Sequence, residues 1–163
     1  VLNVEKNEDY IRHWDEFVFY PEALEALPIL ANVFQRIVIT TNQKGIGKGL
    51  MTHEDLSFIH HNMLQKIFSV GGRIDDIFYC PELDNDSVNR KPQPGMALQA
   101  QQKYPSIDFS KSIMVGNRMS DMEFGRNAHM HTVFLSTTHP ETCFPHPAID
   151  LRFKHLLDFA QHV

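Results

Sequence analysis

Arg36-Ile37-Val38-Ile39-Thr40-Thr41, running directly into Asn42-Gln43-Lys44-Gly45-Ile46-Gly47-Lys48-Gly49, is the stretch on which the fold turns. A short β-branched apolar run bounded by turn residues predicts a strand covered on both faces, which implies a parallel sheet. The loop after this strand is chemically unusual. Thr41 and Asn42 offer a hydroxyl and an amide at the strand end, and the glycines after them expose backbone N–H groups suited to phosphate oxygens. Lys44 and Lys48 add positive charge. The same residues also suit an ordinary strand-to-helix connection, and the GxxxxGK[ST] spacing of a Walker A loop is absent.

Elements of both kinds flank this strand. Pro21 opens a helix as an N1 proline, with Leu24 and Leu27 inside it and an end near Ala31 to Val33. Thr52 and Asp55 predict a capping box for a second helix, along which Leu56, Ile59, His60, Met63, Leu64, Ile67 and Phe68 recur at helical spacing up to Gly71-Gly72. Ile74 to Cys80 reads as another short strand. A polar loop fills residues 81–94, and Gly95 to Tyr104 reads as a helix. Ser112 to Val115 predicts a strand broken at Gly116-Asn117, Ser120 to Ala128 a helix, and His131 to Leu135 a strand. Residues 140–147 read as surface loop, Ile149 to Leu151 as an edge strand, and Phe153 to Gln161 as a terminal helix. This alternation selects an open α/β sheet with helices on both faces, whose active site lies at the carboxyl ends of the strands.

Two further loops at such ends carry chemistry. Arg90-Lys91-Pro92-Gln93-Pro94-Gly95 sets a planar guanidinium and an ammonium side by side before a helix, a pairing suited to anions or to a solvated turn. Val115-Gly116-Asn117-Arg118-Met119-Ser120-Asp121 ends a strand with oxygen ligands at Asn117 and Asp121. Hard cations such as Mg²⁺ prefer these oxygens, although Ser120 or Asp121 can equally cap the next helix.

Composition bounds the function. The 163 residues suit a single domain spanning 1–163, and 42% hydrophobic residues with 12 Phe support a packed core. A net charge of −5 disfavours a broad nucleic-acid face. Cys80 and Cys143 are too few for a disulfide framework, no run reaches membrane-span length and no leader is recognisable, so a cytoplasmic protein is expected. The ten His residues are scattered, with no HExxH pair, and read as solvated or hydrogen-bonded side chains.

Taken together and in this order, the three loops resemble motifs two, three and four of the haloacid dehalogenase (HAD) superfamily of phosphotransferases. TNQKGIGKG at 41–49, RKPQPGM at 90–96 and MVGNRMSDM at 114–122 look most like its heptose-1,7-bisphosphate phosphatase and histidinol-phosphatase branch. The resemblance covers nearly the whole chain. It implies a three-layer Rossmann-like fold with a mainly parallel sheet, no large cap domain, and Mg²⁺-dependent hydrolysis of a small phosphate ester. By position, Thr41 would hydrogen-bond the transferring phosphoryl group and Lys91 would neutralise it. Asn42, Gln43, Lys44, Gly45, Lys48 and Arg90 would meet the substrate, and Asn117 and Asp121 would hold Mg²⁺.

The sequence departs from the family pattern in three places. Val1-Leu2-Asn3 resembles the tail of the first motif, so the central strand and the aspartate that attacks phosphorus are expected upstream of Val1. Asn117 stands where the family turn has Asp, which weakens the expected metal site. Of the zinc-loop ligands found in the heptose branch only Cys80 remains, followed by Pro81-Glu82-Leu83, and no zinc is expected. Two alternatives stand beside this reading. A polynucleotide 3′-phosphatase has a similar second motif, and a degenerate module could bind a phosphorylated ligand without catalysis or serve a fused or partner enzyme.

Overall fold

The computed structural model describes residues 1–6 and 9–163. Its regular elements are α1 (Pro21–Val33), β1 (Val38–Asn42), α2 (Lys44–Gly47), α3 (His53–Ser69), β2 (Asp76–Cys80), α4 (Gly95–Lys103), β3 (Ile113–Gly116), α5 (Met119–Asn127), β4 (His131–Leu135), β5 (Leu151–Phe153) and α6 (Leu156–His162). Short 3₁₀ turns at Trp14–Glu16 and Phe109–Lys111, for which the sequence carries no periodic signal, complete the order.

Every strand pairing is parallel, in two groups: β1 with β2, and β3-β4-β5. Helices cover both faces, which is the open α/β architecture that the alternation predicts. Alternate side chains show the layering. Ile39 and Ile77 pack with Leu27, Met63 and Ile67 beneath α1 and α3, whereas Phe78 and Cys80 pack with Met96 and Phe124 beneath α4 and α5. Ile113, Val115, Val133 and Leu135 meet Ala23, Ala26, Leu30 and Phe159 of α1 and α6, and Met114 faces α5. Through Leu27 on one side and Ala26 and Leu30 on the other, α1 ties the two groups of strands together. Replacing Leu27 by Ala would therefore loosen the hold of α1 on the β1–β2 group, at about 3 kcal/mol.

A cavity of about 830 Å³ lies between the two groups. Ile37 to Thr41 line one side and Ser112 to Val115 the other, with Val1 and Leu2 also on its wall. This explains a departure from expectation. All five residues of β1 are only half-buried, because β1 pairs with β2 alone among the described residues. Parallel strands are ordinarily shielded on both edges and both faces.

Other boundaries differ for local reasons. The edge strand lies at Leu151–Phe153 rather than Ile149–Leu151, since Ile149 is used in a bridge with His146. The terminal helix starts at Leu156 instead of Phe153, after residues 151–153 join the sheet. Phe68 continues the apolar spacing of α3 but is 81% exposed, because the helix turns its buried stripe of Leu56, Ile59, Met63 and Ile67 away from it.

Candidate active site

The three loops converge at the carboxyl ends of β1 and β3. Lys91 is the hub. Its Nζ donates to Asp121 Oδ1 at 2.6 Å and to Thr40 O at 3.0 Å, and its side chain is 12% exposed. The backbone of Lys91 is clamped by Asn42, whose Oδ1 accepts from Lys91 N at 3.1 Å and whose Nδ2 donates to Lys91 O at 3.3 Å. The loop after β1 thereby places the lysine of the second loop. A buried ammonium held by a carboxylate and a carbonyl is a fixed positive charge, well suited to an anionic substrate.

Asp121 has two tasks. Oδ1 takes the lysine, while Oδ2 accepts from the backbone N–H groups of Asn117 and Arg118, both at 3.1 Å. The second task caps α5, in keeping with the capping alternative, and it fixes the carboxylate at the turn. Three hydrogen bonds leave one of its roughly four lone-pair sites. Asn117 is 7% exposed, and its Nδ2 donates to Glu5 Oε1 and Thr138 Oγ1, both at 2.8 Å. Asn117 and Asp121 thus provide two oxygen donors at one turn. Mg²⁺ ordinarily takes one or two carboxylates and fills the rest of its shell with water and phosphate. Among the described residues there is no group of three or more His, Cys, Asp or Glu side chains able to hold a metal by themselves. The donor set therefore fits Mg²⁺ as part of a shared shell.

Thr41, Gln43, Lys91, Asn117 and Asp121 all line the cavity. Thr41 Oγ1 accepts from Gln43 Nε2 at 3.1 Å, which leaves the hydroxyl hydrogen available. Outside the residues that line the cavity, Asn85 Oδ1 accepts from Lys44 Nζ at 3.4 Å and from Arg90 Nε at 3.3 Å, joining two of the expected substrate cations. Lys48 holds its ammonium 5.2 Å from the centre of the ring of Tyr10, a residue of the cavity wall. Gly45 is buried within α2, against Met51 and Tyr10. Gly47 admits the close approach of Pro81, since an added Cβ would lie 2.3 Å from its carbonyl oxygen.

A HAD-hydrolase-like family model matches residues 88–144, the segment that contains the second and third loops. A D-glycero-alpha-D-manno-heptose-1,7-bisphosphate 7-phosphatase of Mycobacterium bovis is 36% identical over 128 residues, covering 78% of this chain and 67% of its own. The D-glycero-beta-D-manno-heptose-1,7-bisphosphate 7-phosphatase of Yersinia pestis is 31% identical over 169 residues, covering 98% of this chain and 89% of its own. The crystal structure of D,D-heptose 1,7-bisphosphate phosphatase from B. bronchiseptica, complexed with magnesium and phosphate, superposes with a TM-score of 0.88 at 26% identity. That match covers 99% of this chain and 92% of the other.

The chain belongs to the HAD-like heptose-bisphosphate phosphatase family. Its named relatives are phosphatases, a hydrolase class, and its Rossmann-like α/β fold is theirs.

Within this HAD-like frame, two residues at the site carry no signal in the sequence. Glu5 reaches Asn117 and also pairs with Arg118 at 2.7 Å, across separations of 112 and 113 residues. Thr138 approaches Asn117 from the loop after β4. Neither belongs to a motif or an apolar period. His60, which the helical spacing of residues 56–68 already includes, lines the cavity from α3, where burial pushes its imidazole pKa down. No described helix is long and apolar enough to cross a membrane.

Proposed function

We propose that this chain forms, as a single domain, most of the active site of a Mg²⁺-dependent phosphatase for a small phosphorylated sugar, with a heptose 1,7-bisphosphate as the foremost candidate and histidinol phosphate next. The observation that carries the reading is the buried Lys91–Asp121 pair beside Thr41, at the mouth of a cavity between two parallel strand groups. In this reading Lys91 holds one phosphoryl oxygen by charge, and the Thr41 hydroxyl with the backbone amides after it binds another. These donors are fixed before substrate arrives, which is how charge developing on a transferring phosphoryl group is stabilised without reorganisation. Lys44 and Arg90, joined through Asn85, face the remainder of the substrate and supply cations for a second phosphate. Asn117 and Asp121 would hold Mg²⁺, which when bound neutralises phosphate charge.

The attacking carboxylate enters from a strand lodged between β1 and β3 and encoded upstream of Val1. Support comes from the cavity itself, which is bounded by the edges of two parallel strands and opens at its carboxyl end on Lys91 and Asp121. An aspartate there attacks phosphorus to give an aspartyl-phosphate, and a second one protonates the leaving oxygen before activating water. A cytoplasmic site of action agrees with the free thiols of Cys80 and Cys143.

The test is phosphate release by the full-length protein from heptose 1,7-bisphosphate, histidinol phosphate and a 3′-phosphorylated oligonucleotide. Preference for the sugar bisphosphate, abolished when the first upstream aspartate is changed to Asn, is the expected result. Preference for the oligonucleotide would establish the polynucleotide reading instead. Phosphate binding with no turnover on any of the three would establish a non-catalytic module.

A further inference from the structure

Asn117 occupies the position at which the resemblance leads one to expect an aspartate, and its surroundings account for the exchange. We propose that Glu5 is a positioning residue that holds the Asn117 amide with its oxygen toward the phosphoryl site, so that Glu5 and Asn117 together stand in for one aspartate. The inference deepens the phosphatase reading and rests on it.

A carboxylate only accepts hydrogen bonds, so the atom that Asn117 turns toward Glu5 Oε1 at 2.8 Å must be its nitrogen. The second hydrogen of that nitrogen goes to Thr138 Oγ1, also at 2.8 Å. Both hydrogens are thereby committed, and Oδ1 remains as the amide atom free to serve a ligand in the cavity that Asn117 lines. The flipped amide would set oxygen lone pairs against a carboxylate. Glu5 does not wander, because its other oxygen takes Arg118 Nη2 at 2.7 Å. The side chain of Asn117 is buried, at 7% exposure for the residue, so water is a poor substitute for these partners.

The same geometry explains why residue 117 is neutral. An aspartate there would bring two carboxylates to hydrogen-bond distance with no donor between them, an arrangement that like-charge repulsion disfavours. Beside the Asp121 carboxylate, the second negative charge near the turn is thus carried on Glu5, where Arg118 balances it. Glu5 touches neither substrate nor metal in this scheme. Its effect passes through the orientation of an amide oxygen, in the way that outer partners of metal ligands set affinity.

The test uses the full-length protein without substrate, with Mg²⁺ titrated by calorimetry and folding followed by thermal melting. Glu5→Ala is expected to weaken Mg²⁺ binding roughly tenfold. Glu5→Gln keeps an acceptor for Asn117 Nδ2 and should bind Mg²⁺ within about threefold of the parent. Asn117→Asp should lower the melting temperature when Glu5 is present, and Glu5→Gln should restore it, because the new amide donates to the new carboxylate. The inference is overturned if Glu5→Ala leaves Mg²⁺ affinity unchanged, or if Asn117→Asp melts identically with Glu5 and with Gln at position 5. A parent protein that binds no Mg²⁺ would overturn the metal reading and this inference together. Mg²⁺ binding that ignores Glu5 would overturn the inference alone.

Discussion

Gly116 and Asp121 approach so closely that a Cβ added to the glycine would lie 2.2 Å from Asp121 Cβ and 2.6 Å from its Oδ2. The capping carboxylate of α5 therefore occupies the space a side chain would need. Gly116→Ala should displace Asp121 from the backbone amides of residues 117 and 118 and from Lys91. The expected loss is about 3 kcal/mol by urea denaturation, the upper range for overpacking. Gly49→Ala is the control. Gly49 has φ +69° but nothing within 4 Å of the added atom, so backbone strain alone should cost about 1 kcal/mol.

Lys91 and Asp121 form an ion pair whose side chains are 12% and 8% exposed. Removing one member leaves the other charge buried without its partner, which is more damaging than removing both. Lys91→Met and Asp121→Asn are each expected to destabilise by about 3 kcal/mol, and the double variant by clearly less than their sum. A double-mutant cycle in urea checks this. Additive losses would show that the two groups are independent.

How much was legible in the sequence depends on how local each feature is. The Thr52–Asp55 capping box is a four-residue device, and both of its hydrogen bonds form, at 2.8 and 3.1 Å. His131 to Leu135 was readable as a strand from its apolar run, four of whose five residues are buried. The convergence of Thr41, Lys91 and Asp121 was legible only through the order of the three loops, because no short spacing joins them. Glu5 stayed hidden for the opposite reason: its partner lies 112 residues away and nothing around it repeats. The half-burial of β1 was legible only through the family resemblance, which sets a central strand beside it, and not from its own apolar run. Burial of a strand edge depends on what lies beside it, and that is a property of the sheet, not of residues 38–42.

The segment before α1 should be sensitive to acid. Glu16 accepts from Lys6 Nζ at 2.6 Å and from Arg12 N at 2.8 Å, and these bonds hold its pKa down at about 2, against the ordinary value of 4.5. Asp9 is lowered further still, by the backbone N–H of Tyr10 and by Arg12 and Lys6. A carboxylate depressed in the folded state contributes its stability above the unfolded pKa and loses it as pH falls through the folded one. Melting temperature should therefore decline between about pH 4.5 and pH 2, where Glu16→Gln should flatten the decline. An identical slope in both proteins would remove Glu16 as its source.

Thr41 tests the chemistry most directly, because its hydroxyl has one hydrogen bond accounted for and one hydrogen to give. Gln43 Nε2 donates to Oγ1 at 3.1 Å, which orients the hydroxyl without consuming its proton. In the proposed reading that proton goes to a phosphoryl oxygen whose charge grows in the transition state, so its removal should lower kcat more than it raises KM. Thr41→Val preserves shape, leaves the strand intact and should reduce kcat by roughly 10²-fold, in line with the loss of one preorganised donor. Thr41→Ser keeps the hydroxyl and should recover most of the rate. Steady-state phosphate release by the full-length protein separates the outcomes. Equal activity of the Val and Ser variants would mean that Thr41 contributes shape alone, and the phosphoryl contact would then have to be assigned to the backbone amides after it.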